Sequence, residues 1–154
     1  MDLDVLKGLF EEFDLAAFLP DLTDVLGWIE MLLRIAVMAG PLLLLLFGLI
    51  YLLVPPKEAN HGLGYRCWWG MASLAAWQFT QQLAGIVWTV LGVCLTVAMA
   101  LICNGYRDMD TMDMVWSAVK CLGWEAVLTV AACVIINITV FCVFDRNGYR
   151  RGKE

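Results

Sequence analysis

Residues 35–54 read IAVMAGPLLLLLFGLIYLLV, a stretch without a single charged side chain. A helix of about 20 apolar residues is long enough to cross the roughly 30 Å hydrocarbon core of a bilayer. Pro41 lies inside this stretch and predicts a kink. Pro55 and Pro56 follow it and predict its end, because the residue before a proline avoids the helical conformation. The stretch therefore predicts a transmembrane helix.

The composition of the whole chain agrees with a membrane protein. Of its 154 residues, 62% are apolar and 16% are charged, whereas soluble domains have about 45–50% apolar and about 25% charged residues. Such a composition excludes a disordered chain and a nucleic-acid binder built on a basic face. We therefore expect no nucleic acid partner. The lipid bilayer is the expected environment of a single domain.

Two further apolar stretches predict two more spans. Each follows a helical lead, of which the first covers residues 71–82 and the second residues 114–123. Asn104 and Gly105 predict the end of the second helix. The fold class is therefore an all-α integral membrane protein with a three-span bundle over residues 35–144 and a basic tail over 145–154. The predicted spans are residues 35–54, 83–103 and 124–144.

Residues 1–34 are predicted to form an N-terminal amphipathic segment that lies at the membrane interface. Its apolar residues follow helical spacing, with acidic residues on the other side. Helices on a membrane surface usually carry basic residues that meet anionic lipid, so the acidic face favours the extracytoplasmic side. Glu30 and Arg34 lie one helical turn apart and are expected to form an ion pair.

The distribution of Lys and Arg predicts the orientation. With three spans, the first loop and the C-terminal tail share one side of the membrane and carry six of the ten basic residues. The N-terminal segment and the second loop carry the other four. Because cytoplasmic loops are enriched in Lys and Arg, the N-terminus is expected outside and the C-terminus inside.

The loop after the first span combines a rigid exit with several turn formers. Two prolines begin it, and Asn60 and the following glycines permit tight turns. Tyr65 and Arg66 then place an aromatic ring and a cation where the second helix is expected to start. A cation is unfavourable at a helix N-terminus. Arg66 is therefore expected either to have a dedicated partner or to extend toward lipid headgroups.

This loop and the start of the second helix resemble the signature of the SdpI family, which are small bacterial integral membrane proteins. The matching residues are Pro55, Pro56, Lys57, Asn60, Gly64, Tyr65, Arg66, Met71, Trp77 and Phe79. Cys67, Gly70 and Ser73 depart from the signature, which usually has Thr, Ser and Asn there.

The resemblance implies immunity against a membrane-active peptide or protein toxin, from a place in the bacterial cytoplasmic membrane. In some members it also implies signalling of the toxin to a cytoplasmic regulator. Some relatives resemble a tandem duplication with about twice the number of spans. The single unit in this chain is therefore expected to pair with itself or with another membrane protein.

Four polar side chains within the apolar stretches are candidates for a polar cleft. Gln78, Gln81 and Gln82 lie near the start of the second helix, and Asn137 lies in the third predicted span. The alternative is that they form hydrogen bonds between helices that hold the bundle together. Partners expected for Asn137 are the second-helix threonines Thr89 and Thr96, or its own copy in a dimer.

No catalytic site, metal site or cofactor is predicted. The six cysteines form no C-x-x-C pair and most lie in apolar runs, so neither disulfides nor zinc binding is expected. His61 lies near Glu58 and Cys67, but it lacks a second matched ligand. A structural or pH-sensing role is expected for it instead. Two other functions stay open: an accessory or assembly subunit of a larger membrane complex, and one half of a dimeric transporter.

Overall fold

The computed structural model describes residues 22–56 and 64–151, and over these residues the chain consists of three long helices. All three are long and apolar enough to cross a membrane, as predicted. The described residues contain no strand, and one isolated β-bridge joins Phe144 to Arg150. Most of the predicted amphipathic segment lies outside the described residues. The helices are α1 (Leu22–Leu53), α2 (Leu74–Asn104) and α3 (Thr111–Val143), with a short 3₁₀ helix at Gly105–Asp108.

The predicted leads and spans form single continuous helices. The 31 residues of α2 and the 33 residues of α3 correspond to lengths of about 47 and about 50 Å, which exceed the roughly 30 Å of the hydrocarbon core. The prediction that the second helix starts beside Arg66 is wrong. The Ser73 hydroxyl instead accepts a hydrogen bond from the Ala76 N–H, and this N-cap starts α2 at Leu74.

Helices α1 and α2 approach each other closely because glycines lie between them. A β-carbon on Gly48 would lie 2.5 Å from the Thr89 backbone nitrogen, and one on Gly92 would lie 2.6 Å from the Leu45 backbone nitrogen. Small residues allow helix backbones to pack tightly in lipid, where burial of apolar side chains favours association little. The glycines therefore make α1 and α2 the tightest pair in the bundle.

The alternating direction of the helices determines which segments meet. Residues 54–56, 64–73 and 144–151 lie at one end of the bundle, which we name the motif end. Residues 105–110 lie at the other end, which we name the turn end. The predicted ion pair within α1 is confirmed, since the Arg34 Nη2 atom lies 2.6 Å from the Glu30 Oε1 atom.

Candidate functional site

At the motif end, the Gln81 side chain holds the backbone of Tyr65. The Tyr65 N–H donates to the Gln81 Oε1 atom at 2.8 Å, and the Gln81 Nε2 atom donates to the Tyr65 carbonyl oxygen at 2.8 Å. Gln81 is completely buried. One side chain thus satisfies both backbone polar groups of Tyr65, which would otherwise be costly to bury. This pair of hydrogen bonds fixes the backbone of Tyr65 against α2.

The Trp77 indole contacts the residues on either side of the undescribed part of this loop, Pro56 and Gly64. Its ring is completely buried, and its Nε1–H donates to the Pro56 carbonyl oxygen at 2.9 Å. Gly64 has a φ of +128°, and a β-carbon there would lie 2.7 Å from the Trp77 ring. Glycine is therefore required at this position both by the backbone conformation and by the close approach of the indole. Trp77 ties both ends of the loop to α2.

The Tyr65 side chain extends between α2 and α3. Its ring packs edge-on against Trp88 with 5.5 Å between centroids. Its hydroxyl donates to the Cys133 carbonyl oxygen at 3.2 Å and accepts from the Asn137 Nδ2 atom at 3.0 Å. Burial raises the pKa of the Tyr65 phenol, so the hydroxyl keeps the proton that it donates. Tyr65 therefore connects the loop to α3 as well as to α2.

The C-terminal segment closes the motif end. The Ser73 hydroxyl donates to the Gly148 carbonyl oxygen at 2.7 Å, and the Phe79 and Phe144 rings pack with 5.5 Å between centroids. The Arg151 guanidinium lies over the Phe141 ring, 4.9 Å from its centroid. These contacts join the start of α2 to the end of α3. The sequence reasoning missed this junction, since nothing local links residues 75 positions apart.

Four arginines form the surface of the motif end. They lie on the loop after α1 and on the C-terminal segment, and all four are exposed; they are Arg66, Arg146, Arg150 and Arg151. Asp145 is the one acidic residue among the described residues 144–151, and its Oδ1 atom accepts from the Tyr149 N–H at 2.7 Å. The described motif end is therefore strongly basic.

The four polar residues expected to line one cleft are separated in the structure. Gln78 and Gln82 are exposed, and together with Pro55 and Pro56 they line a cleft of about 240 Å³. Gln81 is turned inward onto Tyr65. Asn137 binds the Tyr65 hydroxyl and the Cys133 carbonyl oxygen, rather than Thr89 or Thr96.

The motif departures Cys67, Gly70 and Ser73 are part of the same arrangement. The Gly70 N–H donates to the Cys67 Sγ atom at 3.3 Å. A β-carbon on Gly70 would lie 2.5 Å from the Thr80 Oγ1 atom and 2.8 Å from the Cys67 sulfur. Gly70 therefore fits the bulk of Cys67 and Thr80, while Ser73 caps α2 and binds the C-terminal segment. The departures therefore leave Cys67, Gly70 and Ser73 hydrogen-bonded.

The model of the SdpI/YfhL protein family matches residues 57–144, more than half of the chain. The chain belongs to the SdpI/YfhL family. The match to this family includes residues 57–73, which follow the two prolines, and all of α2 and α3. Neither a curated protein nor a solved structure matches the chain.

Three further residues of the SdpI signature, Met71, Lys57 and Asn60, are not among the contacts described above. Met71 lies on the surface. Lys57 and Asn60 lie outside the described residues, as does His61, so the structure leaves their predicted roles untested. All six cysteines are free, and residues 22–56 and 64–151 contain no group of three His, Cys, Asp or Glu side chains that could hold a metal ion.

One buried acid of this SdpI/YfhL protein was not singled out by the sequence reasoning. Glu125 lies within α3 and is 6% exposed. An acidic residue inside an otherwise apolar span is itself a signal, because intramembrane charges are rare and commonly functional. Glu125 lies on the α1-facing side of α3, away from the motif end.

Proposed function

We propose that this protein is an immunity or toxin-sensing protein of the bacterial cytoplasmic membrane, which protects the cell by binding a membrane-active peptide or protein toxin at the membrane. Membership of the SdpI/YfhL family supports the proposal. The observation that carries it is the fixed loop at Gly64–Arg66, which Gln81 and Trp77 hold while Arg66 stays on the surface. A segment that is already ordered loses little conformational entropy when it binds a partner.

The proposal places the motif end in the cytoplasm. Its described surface carries four exposed arginines against Asp145, whereas the turn end and the first turn of α3 carry Asp108, Asp110 and Asp113 against Arg107. The positive-inside rule then places the turn end outside. An external toxin first meets the acidic turn end, which attracts cationic peptides. The motif end transmits the presence of the toxin to a cytoplasmic partner or to a membrane partner, such as a second copy.

A survival assay tests this function, and the chain provides a matched control. Arg66 and Arg107 both follow a Gly-Tyr pair and are both exposed, but they lie at opposite ends. Wild type, Arg66→Ala and Arg107→Ala would be produced in sensitive bacteria at equal membrane levels and exposed to a panel of secreted peptide toxins. We expect wild type and Arg107→Ala to protect, and Arg66→Ala to lose protection.

Equal protection by all three proteins would remove the motif end from the mechanism. No protection by any of them would contradict immunity and would favour an accessory subunit, which should purify in mild detergent as a stoichiometric complex with other proteins. Solute movement in proteoliposomes would instead favour a transporter half. A C-terminal fluorescent reporter that folds only in the cytoplasm tests the orientation directly.

A further inference from the structure

The carboxyl group of Glu125 is buried within the bundle without a full set of partners. The residue lies near the middle of α3, and its Oε1 atom has no hydrogen-bond partner among the described residues. A carboxylate in this position would be costly, because desolvation disfavours the charged form. Such a group is stable either as the neutral acid or with a bound cation.

The charged and titratable groups around Glu125 leave it without an ion pair in the described part of the chain. On α1, the Arg34 guanidinium is bonded to Glu30. On α3, Cys121 lies one turn before Glu125, and on α2, Cys103 belongs to the same buried cluster as Cys121. Both cysteines are buried free thiols, so neither supplies a positive charge that would compensate a carboxylate.

Helix α1 provides a notch for this carboxyl group. A β-carbon on Gly40 would lie 2.7 Å from the Glu125 Oε2 atom, so any larger residue would displace the acid. The next residue, Pro41, is completely buried within α1. Proline has no N–H, so the carbonyl oxygen of Val37, four residues earlier, lacks its usual helical donor. Val37 is also completely buried, so this freed acceptor lies inside the bundle, three residues before Gly40 in the chain.

We propose that Glu125, with the notch at Gly40 and Pro41, forms an intramembrane site for a small monovalent cation, occupied by a proton at neutral pH. The neutral acid avoids the cost of a buried charge, and its O–H is a donor in a region where α1 has a freed carbonyl oxygen. Ionisable side chains and carbonyl oxygens freed from helical hydrogen bonding are groups that bind small cations within membranes. The site lies away from the motif end, and it does not depend on the proposed immunity function.

Infrared spectroscopy of the full chain in lipid nanodiscs tests whether the site is protonated. At neutral pH in sodium-free buffer, we expect the C=O stretch of a protonated carboxylic acid in wild type. This band should be lost in Glu125→Gln and kept in Glu30→Gln, which removes the acid paired with Arg34. Absence of a band that depends on Glu125 would overturn the proposal. Loss of the band on adding sodium, but not choline, would identify sodium as a second occupant of the site.

An apolar carbodiimide gives a second readout. The acid O–H adds across one C=N bond of the reagent, and the O-acylisourea then rearranges to a stable N-acylurea, so that the peptide gains the whole reagent mass. We expect this mass on the peptide that contains Glu125, and its complete loss in Glu125→Gln. Sodium should reduce the labelling only if sodium also binds the site.

The notch is tested by a matched pair of alanine variants. Gly40→Ala displaces the flexible end of the Glu125 side chain, whereas a β-carbon on Gly123 meets nothing within 4 Å. We expect Gly40→Ala to shift the carboxylic acid band and to change carbodiimide labelling several-fold, with Gly123→Ala unchanged. If both variants match wild type, Gly40 has no part in the site.

Discussion

The tripeptide Gly-Tyr-Arg occurs at both ends of the bundle, with different outcomes. At the motif end, Gly64 has a φ of +128° and Tyr65 is held by Gln81 and joined to α3. At the turn end, Gly105 has an ordinary φ of −75°. Tyr106 is buried in an apolar cluster around Met114, Ala118 and Cys121. The identical tripeptide thus gives a hydrogen-bonded loop with a positive φ at one end and a helical turn at the other.

The difference shows that local sequence decides little at these positions. A third copy of the tripeptide, at 148–150, leaves Tyr149 on the surface with 73% exposure. What distinguishes Tyr65 is its partners on α2 and α3.

Replacing the glycine in each of the tripeptides 64–66 and 105–107 should distinguish the two ends most clearly. Gly64→Ala introduces strain at a positive φ, which costs about 1–3 kcal/mol, and a clash with the Trp77 ring, which costs about 1–3 kcal/mol more. Gly105→Ala meets only the end of the Met109 side chain at 3.8 Å and should change stability by less than about 0.5 kcal/mol. Unfolding in detergent measures both, and equal effects would contradict the requirement for glycine at position 64.

Removing the amide of Gln81 should destabilise the motif end nearly as much. Gln81→Leu leaves the N–H and the carbonyl oxygen of Tyr65 without partners, at about 1–3 kcal/mol for each buried group. The neighbouring Gln82 is exposed, so Gln82→Leu is the control and should have little effect. Limited proteolysis of the loop gives a local readout, in which Gln81→Leu should be cleaved several-fold faster. Equal cleavage of the two variants would show that Gln81 does not hold the loop.

Ser73→Ala tests the junction between α2 and the C-terminal segment. The variant loses the N-cap of α2, at about 1 kcal/mol, and the hydrogen bond to the Gly148 carbonyl oxygen. Thr139→Ala is the control, because it removes a hydroxyl that bonds only within α3, to the Ile135 carbonyl oxygen. Hydrogen exchange of residues 144–151 should increase in Ser73→Ala alone. An unchanged exchange rate would mean that Ser73 does not hold this segment.

Tyr65→Phe should have the smallest effect at neutral pH, about 1 kcal/mol, because the Asn137 amide keeps its bond to the Cys133 carbonyl oxygen. Its pH dependence is more informative. Burial raises the pKa of the Tyr65 phenol in the folded state, so its contribution to stability is fully present below the unfolded value of about 10. It is lost as the pH rises from there toward the folded value. Tyr65→Phe should therefore lose less stability at alkaline pH than wild type does. An identical loss in the two proteins would contradict the contribution of the Tyr65 phenol.

The sequence predicted some side-chain contacts and missed others for a simple reason. Glu30 and Arg34 are one turn apart on one helix, so their pairing follows from helical geometry and was predicted correctly. Gln81 and Tyr65 are 16 residues apart, and Ser73 and Gly148 are 75 residues apart. These contacts depend on where a loop and a chain end come together, which no local pattern describes.

The length and hydropathy of the chain are sufficient to predict its three spans, because a bilayer requires every backbone polar group to be satisfied within a helix. The prolines and glycines are sufficient to predict where the spans end. The signature in the loop after α1 is likewise sufficient to recognise the SdpI/YfhL family. The tertiary structure alone decides that Gln81 turns inward while Gln78 and Gln82 face the surface, and that Glu125 fits the notch at Gly40. Polar groups inside a bundle take the partners that helix packing brings to them, and that packing depends on contacts between residues distant in sequence.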